Sequence, residues 1–330
     1  MSRHANIAIF VPHIGCAHRC SFCDQTAITG MHTLPTAADV HLAVQRAVAS
    51  PNYNPEQTEI AFFGGSFTAI DAAYMLELLD AAYTHVQKGS VRGIRVSTRP
   101  DAVENEVLAL LKRRGVTTIE LGAQSMVDSV LIANGRGHTA AEVEQAAERI
   151  RTQGFSLGVQ MMTGLYTDTD DGAKYTAQKL ADCRPDAVRI YPAITLKHTR
   201  LAALYQQGKY RPQDLNAAVE LCAELLSFFE GQNIPVIRLG LHSIEMADYV
   251  AGPWHPAFRE LCESRLYLQA ATEQLGAKGD YNVYVHPSAL SKMIGQARGN
   301  IEFLKQMGYN CNVYGDASLS KYQVKCKERE

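Results

Sequence analysis

The sequence predicts an α/β fold, in which a partial, TIM-like (β/α)6 barrel over residues 1–240 is followed by a small α/β extension over residues 241–330. Two observations support this prediction. Short apolar runs rich in β-branched residues alternate with amphipathic stretches of helical length. The length of 330 residues also suffices for one large domain and a smaller one. Because such alternation is typical of parallel strands joined by helices, the chemistry is expected at the carboxyl ends of the strands.

The strand candidates recur along the barrel at residues 6–11, 59–63, 93–97, 117–121, 156–161, 187–192 and 235–238. The helix candidates lie between them, at residues 37–49, 71–87, 101–114, 139–154, 171–182 and 215–230. Thr36, Thr139 and Asp170 stand at helix starts and are residue types that cap helices. Gly115 and Gly154 stand where two helices should end, each just before a strand.

Composition and charge narrow the classes of function. The formal charge of −2 excludes a strongly basic nucleic-acid binder but allows a local basic patch. The first residues lack the pattern of a signal peptide, and no apolar run reaches membrane-spanning length. Eight cysteines, of which five are scattered, fit a reducing compartment. The sequence therefore predicts a cytoplasmic protein with no membrane partner.

The strongest motif directly follows the first strand candidate. Cys16, Cys20 and Cys23 are spaced C-x3-C-x2-C. Thiolates are soft ligands, and three of them on one short loop can hold three corners of a four-iron cluster while the fourth iron stays open. A structural zinc site would need a fourth protein ligand, which His13 or His18 could supply. A disulfide is a weaker alternative, because three neighbouring cysteines cannot all pair.

Polar or conformationally special residues follow the next strands. Gly64 and Gly65 would let the backbone come close to a ligand, or would simply form a turn. Ser97 could point a hydroxyl into the barrel mouth, and Gln124 could bind a ribose hydroxyl or tie down neighbouring backbone. Arg136, in a glycine-flanked loop, could bind a carboxylate through a charge-assisted hydrogen bond.

Position alone indicates the substrate side. Tyr191 and Lys197 follow the sixth strand candidate and would face the mouth where a substrate enters, so they are the candidate catalytic residues. Met162 could line an adenine, although adjacent methionines are more typical of a packed core. No obvious general base stands out on this side.

The cysteine spacing and the glycine pair resemble the signature of the radical SAM superfamily. The resemblance implies a [4Fe–4S] cluster on Cys16, Cys20 and Cys23, whose open iron binds S-adenosylmethionine. In that superfamily an electron from the cluster cleaves the sulfonium and yields a 5′-deoxyadenosyl radical. A reductant such as flavodoxin or ferredoxin would be the partner that supplies the electron.

Longer segments between residues 6 and 240 resemble the radical SAM domain of the Elongator catalytic subunit. They are Gly64-Gly65-Ser66-Phe67, Thr98-Arg99-Pro100-Asp101 and residues 114–125, 136–139, 161–165 and 185–192. The cysteine spacing and the Gln124 segment are also similar to oxygen-independent coproporphyrinogen III oxidases. The resemblance implies cofactor contacts at Phe10, Gly64, Gly65, Ser66, Ser97, Gln124, Arg136, Gln160 and Met162.

Two departures separate the chain from the Elongator subunit. Three residues separate the first two cluster cysteines here, whereas Elongator subunits have a much longer gap. Elongator subunits also carry a C-terminal acetyltransferase domain, and about ninety residues after Gly240 are too few for one by ordinary domain sizes. The resemblance therefore implies the radical chemistry rather than the whole Elongator reaction.

The extension has a pattern that resembles the phosphate-clamping loop of KH modules. Residues 290–294 and 300–307 read as helices around a turn at 295–299, with three residues between its glycines instead of two. From Lys278 onward, eight Lys and Arg stand against five Asp and Glu, a charge of +3 that is also typical of an ordinary surface.

Three functions stay open: a radical SAM enzyme on RNA, with tRNA as first candidate; a radical SAM enzyme on a small or porphyrin-like molecule; and a non-catalytic RNA-binding iron–sulfur protein.

Overall fold

The computed structural model describes residues 5–12, 14–16, 19–24, 33–241 and 244–329. The strands in this part of the chain are β1 (Ala5–Val11), β2 (Thr58–Gly64), β3 (Gly93–Thr98), β4 (Val116–Gln124), β5 (Ser156–Thr163), β6 (Ala187–Pro192), β7 (Thr195–Leu196), β8 (Val236–Leu239), β9 (Tyr249–Ala251), β10 (Gly279–Val285), β11 (Tyr309–Gly315) and β12 (Val324–Glu328). Strands β1 to β6 and β8 form one parallel sheet in that order. Strands β1 and β8 lie at its two edges, so the described sheet is a partial barrel. The predicted fold class is confirmed, with seven strands instead of six.

The α-helices of the same residues are α1 (Ala37–Val48), α2 (Ala72–Gln87), α3 (Asn105–Arg113), α4 (Asp128–Ala133), α5 (Ala140–Thr152), α6 (Asp170–Asp182), α7 (Arg200–Gln206), α8 (Leu215–Gly231), α9 (Phe258–Thr272), α10 (Leu290–Ile294) and α11 (Gly299–Gln306). Thr36 and Thr139 cap α1 and α5 through complete capping boxes, as predicted. The third cap is Thr169 and the prediction of Asp170 is wrong, because α6 begins one residue earlier than the pattern suggested. Asp170 then lies in the first turn, where its charge complements the helix dipole.

Apolar side chains of the strands and the helices around them form one continuous core. Phe62 on β2 is fully buried and stacks on Phe67, with ring centroids 4.5 Å apart. Because Phe67 belongs to the loop after β2, this stack fixes the loop that follows the glycine pair. In the described part of the chain, no helix is both long enough and apolar enough to cross a membrane.

A second set of interactions inside the barrel is ionic. Arg95 on β3 donates to Glu59 on β2 at 2.9 Å and to Glu120 on β4 at 2.6 Å. Glu120 also accepts from Arg189 on β6, at 2.8 and 3.0 Å. We call these four side chains the luminal ion network. Each is mostly or fully buried, so the charges depend on one another for compensation.

The extension is a three-stranded sheet covered on one face by helices. Strand β10 lies between β11, which runs parallel to it, and β12, which runs antiparallel. Phe258 and Cys262 of α9 belong to the barrel core, whereas Tyr267 and Leu268 of the same helix belong to the core of the extension. Helix α9 therefore joins the two cores, and a boundary at residue 240 stays a prediction.

Candidate functional site

A cavity of about 570 Å³ lies where the barrel strands end. The three motif cysteines line it, together with all nine residues that the Elongator resemblance implied: Phe10, Gly64, Gly65, Ser66, Ser97, Gln124, Arg136, Gln160 and Met162. Of the two candidate catalytic residues, Tyr191 lines the cavity. Lys197 is exposed and is not among the lining residues, because its backbone pairs with Asp248 beside the short strands β7 and β9. Residues from separate strand ends thus meet at one site.

Two loops meet backbone to backbone at this cavity, namely the cysteine loop after β1 and the glycine loop after β2. The Gly65 N–H donates to the Val11 carbonyl at 2.9 Å. A methyl group at Gly65 would overlap the carbonyl oxygen of Ile14, and one at Gly15 would overlap that of Ser66. The glycines are therefore required for the contact between the loops, in addition to any approach of a ligand.

The cysteine thiols lie in a partly desolvated environment. Burial, followed by the neighbouring Cys20 and Cys16, raises the pKa of the Cys23 thiol to about 12. Burial also raises the pKa of Cys16. A metal centre would therefore have to displace protons from these sulfurs. Nη1 of Arg136 donates to Cys20 Sγ at 3.0 Å.

The donor set fits a thiolate-held cluster, because the motif supplies three soft ligands at the cavity. Among the described residues, no three His, Cys, Asp or Glu side chains are arranged to hold one ion. His13 and His18, the fourth ligands of the zinc alternative, lie outside the described residues. All cysteines of the motif are free thiols that line the cavity, so soft donors are available for iron and sulfide.

Two buried guanidinium groups beside the cysteines each have one nitrogen without a hydrogen-bond partner among the described residues. Arg99 donates twice to Asp101, at 2.8 and 2.6 Å, but its buried Nη1 has no partner among the described residues. Arg136 contacts Cys20 and the Gly122 carbonyl, and its buried Nε likewise lacks a partner there. Buried N–H groups of this kind are costly unless an acceptor arrives, so both arginines fit an anionic ligand.

Hydrogen bonds across the strand ends hold the polar lining in place. Ser66 Oγ lies 2.8 Å from Thr98 Oγ1 and accepts from the Arg99 N–H at 3.2 Å, which ties the loops after β2 and β3 together. Gln124 has a φ of 68° and accepts from Gln160 at 3.2 Å. A left-handed conformation is unfavourable for glutamine, and such strain is found mainly at functional sites.

Charged residues of the lining were missed by the sequence reading. Glu120, Arg189 and Arg238 all line the cavity on β4, β6 and β8. Arg189 and Arg238 are direct register partners, so two guanidinium groups stand side by side on the last two strands. A signal was present for Arg189 and Arg238, since each interrupts a mostly apolar strand. The pairing of these residues with distant strands could not be predicted from the sequence.

Two family models match the chain. A family model described as "Radical SAM superfamily" matches residues 10–180, and one described as "Radical_SAM C-terminal domain" matches residues 185–268. Human Elongator complex protein 3 is 27% identical over 236 residues, which are 65% of this chain and 42% of that protein. The chain spans less than two thirds of the length of the curated relatives it matches.

Solved structures show the same fold. The archaeal Methanocaldococcus infernus Elp3 with an N-terminal deletion is similar with a TM-score of 0.64 at 18% identity, over 84% of this chain and 65% of that chain. Coproporphyrinogen III oxidase (HemN) from Escherichia coli is similar with a TM-score of 0.48 at 17% identity, over 70% of this chain and 53% of that chain. The predicted resemblance to the Elongator catalytic subunit is confirmed.

Proposed function

The chain belongs to the radical SAM superfamily, and from this premise we propose that it cleaves S-adenosylmethionine on a cluster held by Cys16, Cys20 and Cys23 in order to modify RNA. As a radical SAM enzyme it belongs to a superfamily whose cofactors are a [4Fe–4S] cluster and S-adenosylmethionine. When bound, these two supply a 5′-deoxyadenosyl radical by one-electron cleavage of the sulfonium. The observation that carries the proposal is the meeting of three free thiols, the glycine loop and two incompletely paired arginines on one cavity.

The lining suggests how the chain would bind the cofactor. We assign the carboxylate of S-adenosylmethionine to Arg136, whose Nε is buried without a described partner, and its ammonium to the loop of Gly64 and Gly65. Gln124 and Gln160, which already hydrogen-bond each other, would present amides to the ribose.

The other predicted contact residues would shape the cavity and position the groups around the cofactor. Phe10 and Met162 offer apolar surface to the adenine, and Ser66 keeps the glycine loop in register with β3. Ser97 lies 3.5 Å from Glu120 and would bring a hydroxyl to the ribose side of the cavity. Tyr191, which is half-buried in the lining, would contact the substrate.

Two features support RNA as the substrate, with tRNA as the first candidate. The relatives include Elongator complex protein 3, and the extension has a KH-like order of strand, helix, loop, helix and strand. In the loop, Ala297 and Arg298 adopt left-handed conformations with φ of 48° and 63°. Asn300 Nδ2 donates to carbonyls of Ser264, Lys292 and Met293 and holds the loop in this form. A rigid loop with an exposed arginine suits a phosphate backbone.

The proposal is tested by reconstituting the protein anaerobically, reducing it, and measuring 5′-deoxyadenosine with and without tRNA. Formation that rises with tRNA supports an RNA substrate, and profiling of tRNA nucleosides from cells with and without the gene would identify the product. If tRNA does not affect the cleavage of S-adenosylmethionine and a small molecule stimulates it, the small-molecule alternative would be favoured. Reduction by flavodoxin or ferredoxin in place of dithionite tests the partner we propose.

The contact between the two loops gives one prediction. We expect Gly65→Ala to lower the iron content well below that of a full cluster, because the added methyl group overlaps Ile14 and pushes the cysteine loop away. Iron and sulfide per chain, measured after reconstitution, check this. Gly231→Ala is the matched control, since nothing lies within 4 Å of the Cβ that it adds. Equal iron contents in the two variants would contradict the proposed role of the contact.

Arg238 gives another prediction, concerning the substrate. Its Nε donates to the Gly240 carbonyl at 3.0 Å, which leaves its terminal nitrogens for a ligand in a cavity where Glu120 already binds Arg189. We propose that Arg238 binds an anionic group of the substrate. Arg238→Gln should lower the substrate-stimulated kcat/KM about tenfold to hundredfold, since a charged hydrogen bond contributes on the order of 1.5–3 kcal/mol.

The control for this prediction is Arg238→Lys, which keeps the charge and should recover part of the loss. Cleavage of S-adenosylmethionine without substrate should stay unchanged in both variants, because Arg238 is assigned to the substrate end. An equal loss of the unstimulated reaction would show that the residue supports the cofactor or the fold instead.

A further inference from the structure

The sheet of the extension has one face that its helices leave open. The outward positions of β10, β11 and β12 are Asp280, Asn282, Tyr284, Asn310, Asn312, Tyr314, Lys325 and Lys327, which we call the tyrosine face. We propose that the tyrosine face binds a single-stranded RNA segment, with bases stacked on Tyr284 and Tyr314 and phosphates held by Lys325 and Lys327. This inference rests on the proposed RNA substrate and adds a second RNA surface to it.

The alternation of the strands places these side chains together. Val283 and Val285 of β10 and Cys311 of β11 are buried in the core under the helices, so the residues between them point the other way. Tyr284 is the register partner of Tyr314 on β11 and of Lys325 on β12. Tyr284 thus lies on the central strand of the open face, with Tyr314 on one side of it and Lys325 on the other.

The two rings lie next to each other and form an aromatic platform on the open face. Their centroids lie 5.7 Å apart with the planes inclined by 31°, and 45% of Tyr314 is exposed. Lys327 Nζ lies 5.8 Å from the centre of the Tyr284 ring, as in cation–π pairs. Exposed aromatic rings beside cationic side chains are the usual means by which proteins bind single strands without strict sequence preference.

The polar neighbours fit the edges of bases better than a protein partner. Asn282 and Asn312 are register partners on the face, and their amides can donate and accept as base edges require. Asn282 Oδ1 is buried without a partner among the described residues. The outward positions of the three strands carry no aliphatic side chain in this part of the chain, whereas the centres of protein interfaces are apolar.

The charges of the face favour a polyanion. Asp280, the acidic residue of the tyrosine face, forms a salt bridge with Arg329 at 3.3 Å and accepts a hydrogen bond from Asn310. Nearby, hydrogen bonds from Ser318 lower the pKa of Asp316, and Lys325 and Lys327 lower it further, so this carboxylate stays ionised and offsets one lysine. One lysine charge remains in excess, which suits a phosphate backbone in a local contact.

The test measures RNA binding of the full, reconstituted chain by fluorescence anisotropy, with a labelled single-stranded RNA of mixed sequence and a labelled duplex RNA. Combining Tyr284→Ala with Tyr314→Ala should weaken single-strand binding about tenfold or more, because stacking on each ring is lost. Tyr284→Phe with Tyr314→Phe should retain binding, since the rings remain. Lys325→Gln with Lys327→Gln should reduce the slope of log affinity against log salt by about 1.4, since each single-strand phosphate contact contributes about 0.7.

Two controls separate this surface from others. Phe303 is an aromatic residue of α11 with 43% exposure, on the helical side of the extension, and Phe303→Ala should leave binding unchanged. Arg298→Ala tests the KH-like loop. Loss in this variant while the tyrosine variants bind normally would overturn the inference, as would an equal effect of the tyrosine variants on duplex RNA. Thermal unfolding of each variant identifies any that fail to fold. If the alanine pair does not fold, the lysine pair still decides the question, because an unchanged salt slope would overturn the inference.

The same preparations keep the two proposals apart. Cleavage of S-adenosylmethionine without RNA should be unchanged in the tyrosine variants, because the cavity lies in the barrel. Absence of cleavage in the unaltered chain would count against the proposed function. Single-strand RNA binding that is normal in the unaltered chain and unchanged in the tyrosine variants would count against the tyrosine face alone.

Discussion

Replacing Cys20 by alanine is expected to reduce both the iron content and the cleavage of S-adenosylmethionine to background. The three thiols of the motif would hold three corners of the cluster, and the side chain of Cys20 is the one that also accepts from Arg136, at 3.0 Å. With two thiols remaining, a second iron would be open and the geometry for the cofactor would be lost. Removal would also leave the buried guanidinium of Arg136 without its sulfur acceptor.

The measurement is iron and sulfide per chain, the absorbance of the brown protein, and 5′-deoxyadenosine formed under reduction. Cys183→Ala is the matched control, because Cys183 is a free thiol at the end of α6 that does not line the cavity. RNA binding should persist in Cys20→Ala, since the extension has a core of its own. Normal iron in Cys20→Ala, or stoichiometric zinc in the unaltered protein, would contradict the assignment of the cluster.

The sequence predicted those parts of the fold that depend on residues close together in the chain. The seven barrel strands followed from short apolar runs, and helix starts from Thr36 and Thr139, whose capping partners lie three residues away. The cysteine motif was readable because its spacing is short. The glycine pair was expected to approach a ligand, and its contact with the cysteine loop depends on packing between two strand ends that no local pattern encodes.

Other features depend on contacts that are distant in the chain. Lys197 was expected at the cavity, but β7 pairs with β9, more than fifty residues later, and the exposed lysine follows that pair. Strands β11 and β12 were not predicted, because their outward residues are tyrosines, asparagines and lysines, and few apolar residues alternate with them. The luminal ion network joins four strands, and no local sequence pattern predicted it.

Glu120→Ala tests that network and should have the largest effect on stability of any substitution considered. Glu120 lies between Arg95 and Arg189, and its side chain is 4% exposed. Burial by itself would lower the pKa of Arg189, but the Glu120 carboxylate, together with Tyr191, raises it overall, so the guanidinium stays charged. Without Glu120, Arg189 keeps its charge in the barrel with no described carboxylate beside it.

Breaking a buried pair by removing one partner costs about 3–5 kcal/mol, and we expect a loss of that size in the free energy of unfolding, measured by urea titration of the cluster-free protein. Asp80→Asn is the matched control, because Asp80 pairs with Arg114 at 2.7 Å at the surface and should change stability by less than about 1 kcal/mol. Glu120→Gln keeps an acceptor for both arginines and should fall between the two. Equal effects of Glu120→Ala and Asp80→Asn would mean that water screens the lumen and that Arg189 does not need its carboxylate. A large loss would mean that the barrel depends on Glu120 to compensate the charge of Arg189, which lines the cavity wall beside Arg238.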